Sequence, residues 1–254
     1  MKKAVAIATL LVAAGCSGTS STGSAASSTL TVFAASSLTA AFDRIGNDFM
    51  TANPGITVTF NFGSSTDLAS QIQSEGTADV FASASGSAMD SVASDPGVTD
   101  RTNFATNRLV IITPPDDPAG IASIADLAKP GVQLVLAAKG VPVGDYARQS
   151  LTSAGLLSEA MKNVVSNEDD DASVVAKVTS GEADAGIVYA SDVTAAGNAV
   201  RSVTIPAAVN VVASYPIAVV AGSTQTEPAT SFLNEVVGPA GQATLKDFGF
   251  GPAP

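Results

Sequence analysis

The chain has no histidine, no tryptophan and one cysteine, and only 12 lysines and arginines against 23 aspartates and glutamates. Without imidazole there is no Ser-His-Asp triad and no histidine acid/base catalysis, and zinc clusters built from Cys and His are excluded as well. A single cysteine closes no internal disulfide, so the chain must be held by its core. The formal charge is −11, and no Lys/Arg cluster follows the first three residues. That balance argues against nucleic acid as a partner, and equally against a generic basic trap for anions. At 46% hydrophobic and 14% charged, the 254 residues suffice for one large domain or two lobes with cores of their own.

The lone cysteine has a context. Lys2 and Lys3 precede an apolar run from Ala4 to Ala14, and Gly15-Cys16 follows. The pattern resembles a bacterial lipoprotein signal with its lipobox, Ala13 standing where leucine is usual. It implies a signal peptide over residues 1–15, a lipidated Cys16 holding the chain on the outer face of the cytoplasmic membrane, and a tether of small polar residues through residue 29. No later apolar segment reaches the length of about 18 residues that a spanning helix needs. The mature chain is therefore expected to be extracytoplasmic and anchored, not spanning.

From Leu30 onward a strand, a tight turn and a helix recur. Leu30, Val32 and Phe33 are strand formers, whereas Leu38, Phe42, Ile45 and Phe49 share one helical face, with Ser36 and Ser37 at the junction. Alternation over residues 55–62 predicts a second strand, followed by Gly63-Ser64-Ser65-Thr66 and a helix begun by Leu68 and Ile72. Further strands are expected at 78–84, 104–114, 132–137, 163–166, 186–189, 200–205 and 215–220. Helices are expected from Val143 and near Val174, with two more over 227–237 and 239–247. This alternation predicts an α/β fold with largely parallel sheets, each lobe doubly wound.

In such sheets the carboxyl ends of strands and the N-termini of following helices gather on one edge, where ligands bind. Four junctions here carry small or hydroxyl residues: Ser36-Ser37, Ser64-Ser65-Thr66, Pro142-Val143-Gly144 and Asp171-Ala172-Ser173. Each serine is either an N-cap or a donor to a bound anion, and Tyr189, at a strand end, is either a core or rim tyrosine or one more donor. Converging, the junctions make a cage of neutral N–H and O–H groups. Hydrogen bonds to a charged group contribute roughly 1.5–3 kcal/mol each, so six or seven could hold a small dianion without a lysine or arginine.

The segments VFAASSLTAAF, NFGSSTDLASQI, ADVFASAS, GVPVGDYARQSL and GEADAGIVYASD resemble, in this order, those of the molybdate-binding proteins of bacterial ABC importers. The resemblance spans residues 30–250. It implies the type II periplasmic-binding-protein fold, two doubly wound α/β lobes joined by crossover strands, here 30–104 plus 214–254 and 105–213. It also implies oxyanion contacts from Ser37 and Ser65 through hydroxyl and N–H, from Val143 and Asp171 through N–H, and from the Tyr189 hydroxyl. The family commonly has valine in place of Asp171. Two like charges about 8 Å apart repel by roughly 2 kcal/mol at an effective dielectric near 20, so the Asp171 carboxylate is expected to point to solvent.

The expected protein is thus a lipid-anchored receptor that captures molybdate or tungstate between two lobes and hands it to an ABC permease and its ATPase. It is expected to be a monomer, with no cofactor, no resident metal cation and no catalytic residues. A sulfate or phosphate receptor of the same fold is the nearest alternative, and protonated phosphate would need an acceptor such as an inward Asp171. A serine-dependent enzyme lacks an evident base near Ser37 or Ser65, and a ligand-free scaffold lipoprotein is a third class. Because the chain is acidic and its donors neutral, a dianion is repelled at long range. Stopped-flow association with molybdate should therefore accelerate with added salt, and a rate falling steeply with salt would reveal a basic funnel.

Overall fold

Along the first strand, Leu30, Val32 and Ala34 pack into one cluster with Phe42, Phe49 and Phe232, while Phe33 packs on the opposite side with Leu68, Ile72 and Met89. Val80 and Ala82 against Phe81, and Ile217 and Val219 against Ala218, split the same way. The twofold alternation of strand side chains therefore buries both faces of this part of the sheet beneath helices.

The computed structural model describes residues 28–253; the signal at 1–15, Cys16 and the tether up to residue 27 lie outside them. In chain order the elements are β1 (Ser28–Ala35), α1 (Thr39–Ala52), β2 (Ile56–Gly63), α2 (Ser65–Glu75), β3 (Val80–Ala82), α3 (Gly86–Ser94) and β4 (Val98–Thr113). There follow β5 (Leu134–Ala137), α4 (Pro142–Ser153), α5 (Leu157–Ala160), β6 (Val164–Glu168), α6 (Asp171–Thr179), β7 (Ala185–Tyr189) and α7 (Ala190–Ala196). The described chain closes with β8 (Arg201–Thr204), β9 (Val212–Val220), α8 (Thr226–Val237) and α9 (Pro239–Asp247). The first strand begins two residues before the apolar run, because Ser28 and Thr29 pair with Ile56 and Thr57.

The strand order is β2-β1-β3-β9-β4-β7-β5-β6, with β8 also on β4. The β1–β2, β1–β3, β5–β6 and β5–β7 pairs are parallel. Every pairing that involves β4 or β9 is antiparallel, so the sheets are mixed and not largely parallel. The reason is that β4 and β9 run the chain out to one half of the sheet and back, and such a pair needs no crossover helix. β4 is also longer than its apolar part: Val98–Asn103, polar and largely exposed, pair with β9 and extend the strand in the N-terminal direction. From Val98 to Arg108 it pairs with β9, and from Leu109 with β7 on one side and, from Val110, β8 on the other.

Helix α8 returns to the first half through an aromatic cluster. The Phe232 ring meets Phe42 and Phe49 edge-on at 6.0 and 5.4 Å, and Phe42 touches Phe60 and Phe104. Phe232 is fully buried, so Phe232→Ala should cost about 3–5 kcal/mol. Urea unfolding followed by circular dichroism would show this as a lower midpoint at unchanged slope.

Candidate functional site

The turns that end β1, β2, β3, β5 and β7 meet on one edge of the sheet, together with the start of α6. There a small cavity, with about 180 Å3 of atom-free space including its mouth, is lined by Ala35, Ser36, Gly63, Ser64, Ser65, Ala84, Val141, Pro142, Val143, Asp171 and Tyr189. Among the described residues, no lysine or arginine contributes to that lining.

Each wall follows from its local sequence. Ser64 is the N-cap of α2, and its Oγ accepts the Asp67 N–H at 3.2 Å, so capping is assigned to Ser64 and not to its neighbour. Ser65 Oγ accepts the Ala84 N–H at 2.9 Å, which leaves its own proton free to donate. At α4, Pro142 occupies the first turn, where its missing N–H costs nothing, and no side chain caps the helix. The first-turn N–H groups after Pro142 are therefore left to whatever lies in front of them. A β-carbon on Gly144 would come within 2.3 and 2.4 Å of the Ala138 and Ala137 carbonyl oxygens, so only glycine lets this turn sit so close to the end of β5. The start of α6 is capped by Asp170, whose Oδ1 accepts the Ser173 N–H at 2.8 Å.

Of the residues singled out in the sequence, Ser65, Val143, Asp171 and Tyr189 line this one cavity. Ser37 does not: its Oγ lies 2.9 Å from the Tyr215 hydroxyl, and it lines a neighbouring cleft between α1, α6 and α7. Ser36 stands at the cavity instead, since the 3-10 turn at Ser36–Leu38 sends successive side chains in different directions. Which of two adjacent serines faces inward was not readable from their order. Asp192 and Tyr215, which back the cavity, also escaped the sequence reading. Asp192 sits in the first turn of α7, where its Oδ2 accepts the Tyr189 N–H at 2.8 Å.

Asp171 requires a correction. Its side chain does not point to solvent: it is 4% exposed, lines the cavity, and accepts a hydrogen bond from the Ser36 hydroxyl through Oδ1. Repulsion of a bound dianion requires an ionised carboxylate. Burial pushes the Asp171 carboxyl above the usual range, and burial with the Asp171 charge close by pushes Asp192 well above it. The α6 N-terminus thus presents a cap at Asp170 and turns Asp171 inward.

Two buried polar atoms at the cavity, Tyr189 Oη and Asp171 Oδ2, have no partner among the described residues. The tyrosine is 1% exposed and its ring packs edge-on against Tyr215 at 5.8 Å; burial holds its hydroxyl well above the usual tyrosine range, hence protonated and a donor. Thr66 Oγ1 to the Gly140 carbonyl, 2.7 Å, and Ser36 to Asp171 tie the first half of the sheet to the second around the cavity. Chemically the site offers hydroxyl and N–H donors and one carboxyl in a confined, cation-free space. Such a set suits holding a small oxyanion.

The comparisons with known proteins bear on this geometry. Residues 30–251 match the family model described as bacterial extracellular solute-binding protein. The molybdate-binding protein ModA of Mycobacterium tuberculosis is 41% identical over 222 residues, 87% of this chain and 84% of that one. That of Haemophilus influenzae is 30% identical over 257 residues, 98% and 99% of the two chains. Among solved structures, the periplasmic molybdate-binding protein of Azotobacter vinelandii shares the fold with a TM-score of 0.77 at 21% identity, over 87% of this chain and 98% of that one.

A hydroxyl without a partner contributes nothing to the free protein beyond its desolvation cost. Tyr189→Phe should therefore leave the thermal midpoint unchanged or raise it by a few degrees, about 2–4 °C per kcal/mol at this size. Calorimetry without any added anion checks this, and a clear fall would mean that the hydroxyl is bonded in the free protein.

Proposed function

The chain belongs to the bacterial extracellular solute-binding proteins, and from that premise we propose that it captures molybdate or tungstate at the cavity around Ser65 and Tyr189. The observation that carries this reading is a cation-free cavity with a free Ser65 proton, an unpartnered Tyr189 hydroxyl and an uncapped α4 N-terminus. Its lining is supplied by segments that match molybdate-binding relatives over most of their length.

The ligand contacts we assign are Ser65 and Tyr189 through their hydroxyls and Val143 through its N–H, with Asp171 at the start of α6. From the first turn, the geometry favours Ser36 beside or in place of Ser37. The lobe boundaries we assign are 30–104 plus 214–254 and 105–213. They are supported by the change of partner along β4, from β9 up to Arg108 to β7 and β8 beyond it. Ser36 and Ser65 then come from one lobe, and Val143, Asp171 and Tyr189 from the other. Only a closed protein satisfies the ion, so the anion shifts the hinge equilibrium by its preference for the closed form. The protein performs no chemistry on its ligand. Lipidated at Cys16, it works as a monomer on the outer face of the membrane and delivers the ion to an ABC permease and ATPase.

A second reading has a specific observation behind it. The inward Asp171 carboxyl, if ionised, is the acceptor that hydrogen phosphate requires, which favours a phosphate receptor on the same fold. Isothermal titration with molybdate, tungstate, sulfate and phosphate separates the two. Binding of molybdate and tungstate below micromolar Kd, about −8 kcal/mol or better, with sulfate and phosphate silent, is the expected outcome. Tight phosphate binding alone would establish the second reading and overturn the first.

A further inference from the structure

The groups behind the cavity do more than complete its wall. Asp171, at the start of α6, and Asp192, in the first turn of α7, line one cleft where those two helices pack together. Both are more than nine-tenths buried. Asp171 Oδ1 accepts from Ser36, but Oδ2 has no donor. Asp192 Oδ2 accepts the Tyr189 N–H. The titratable groups facing the pair are Asp170 from α6, Tyr189 from β7 and Tyr215 from β9, while the first turn contributes only neutral Ser36 and Ser37. Among the described residues no lysine or arginine forms an ion pair with either carboxyl.

We propose that Asp171 and Asp192 hold one proton between them and that the protein takes up its anion together with that proton. The inference rests on the oxyanion reading and deepens it by naming the charge state in which the site accepts its ligand. A proton between the two carboxyls fills the vacant acceptor on Asp171 and lowers the charge of the pair from two to one. Two buried like charges in contact do not both ionise readily. A dianion brought to the adjacent cavity penalises the doubly ionised pair further. Binding therefore raises the proton affinity of the pair, and by linkage protonation raises the anion affinity. Asp192 borders the cleft that also holds Ser37, Ala172 and Ala196, so solvent can exchange the proton without crossing the ligand cavity.

The sign follows. Below the pKa of the free pair its proton is already present and affinity is independent of pH. Above it, each bound anion draws in a proton, and Kd rises about tenfold per pH unit until the pKa of the liganded pair is reached. Asparagine at position 171 copies the singly protonated pair: its carbonyl accepts from Ser36 and its amide donates to Asp192.

The test is titration of the protein with molybdate, a dianion throughout pH 6–9, in buffers of differing ionisation enthalpy. The wild type should take up between half and one proton per molybdate at the alkaline end, with Kd climbing toward tenfold per unit. Asp171→Asn should bind at least tenfold more tightly than wild type there, with a flat pH profile and little uptake, and Asp171→Asn/Asp192→Asn should show no uptake. Molybdate binding with no proton uptake and a pH-independent Kd in the wild type would overturn the proposal while leaving the oxyanion reading intact. A second measurement needs no ligand: carboxyl carbon NMR of the free protein should show one of the two aspartates still protonated at pH 7. Both ionised at pH 6 would overturn the proposal, whereas a retained proton in a protein that binds no oxyanion would uphold the pair and refute its coupling to an anion.

Discussion

An anion can be taken out of water without a cation only if enough hydrogen-bond donors converge on it at once, and under the proposed function that requirement governs the arrangement of this chain. One or two donors do not repay dehydration; several charge-assisted bonds together do. Backbone N–H groups are free to serve only where a helix begins, and a parallel strand-turn-helix unit delivers one such beginning to the same edge each time it recurs. The turns after β1, β2 and β5 and the starts of α6 and α7 therefore cluster at one cavity. The capping of each helix then decides which donors stay available: Ser64 and Asp170 satisfy part of their own helices, whereas the start of α4 is left uncapped.

A consequence of using neutral donors is sensitivity to any charge placed behind them. The Ser36–Asp171 bond joins the two halves of the sheet, and Asp192 and Tyr215 stand directly behind it. Where the family resemblance implies an apolar side chain, this protein carries a carboxyl, Asp171, and buries it. A buried carboxyl next to a second one is tolerable as a shared-proton pair and costly as two anions. Proton occupancy and oxyanion affinity are then one linked quantity in the proposed mechanism.

The antiparallel crossover supplies the mechanical counterpart. Among the described residues, β4 and β9 are the long strands that run from one half to the other, and they do so side by side. Ser36 and Ser65 hang from one side of that link and Val143, Asp171 and Tyr189 from the other. Bending two adjacent strands is a softer motion than opening a packed core, which is why a binding cavity placed across such a link suits a protein proposed to close on its ligand.

Much of this was legible in the residues themselves. The absence of histidine and the single cysteine removed whole classes of chemistry. The alternation of Leu30, Val32 and Phe33 with the helical spacing of Phe42, Ile45 and Phe49 specified strand and helix, because side-chain periodicity is a local property of the backbone. The strand-turn-helix recurrence likewise placed Ser65, Val143 and Tyr189 near one edge. What sequence could not determine depends on partners distant in the chain. β4 reaches back to Val98 only because β9 pairs with its polar end. Ser36 faces the cavity and Ser37 faces Tyr215 because a residue 178 positions away stands there. Asp171 turns inward because Ser36, 135 residues earlier, donates to it and Asp192 lies beside it. The sign of a carboxyl's effect on an anion is set by its proton, and the proton by neighbours that only the folded chain brings together.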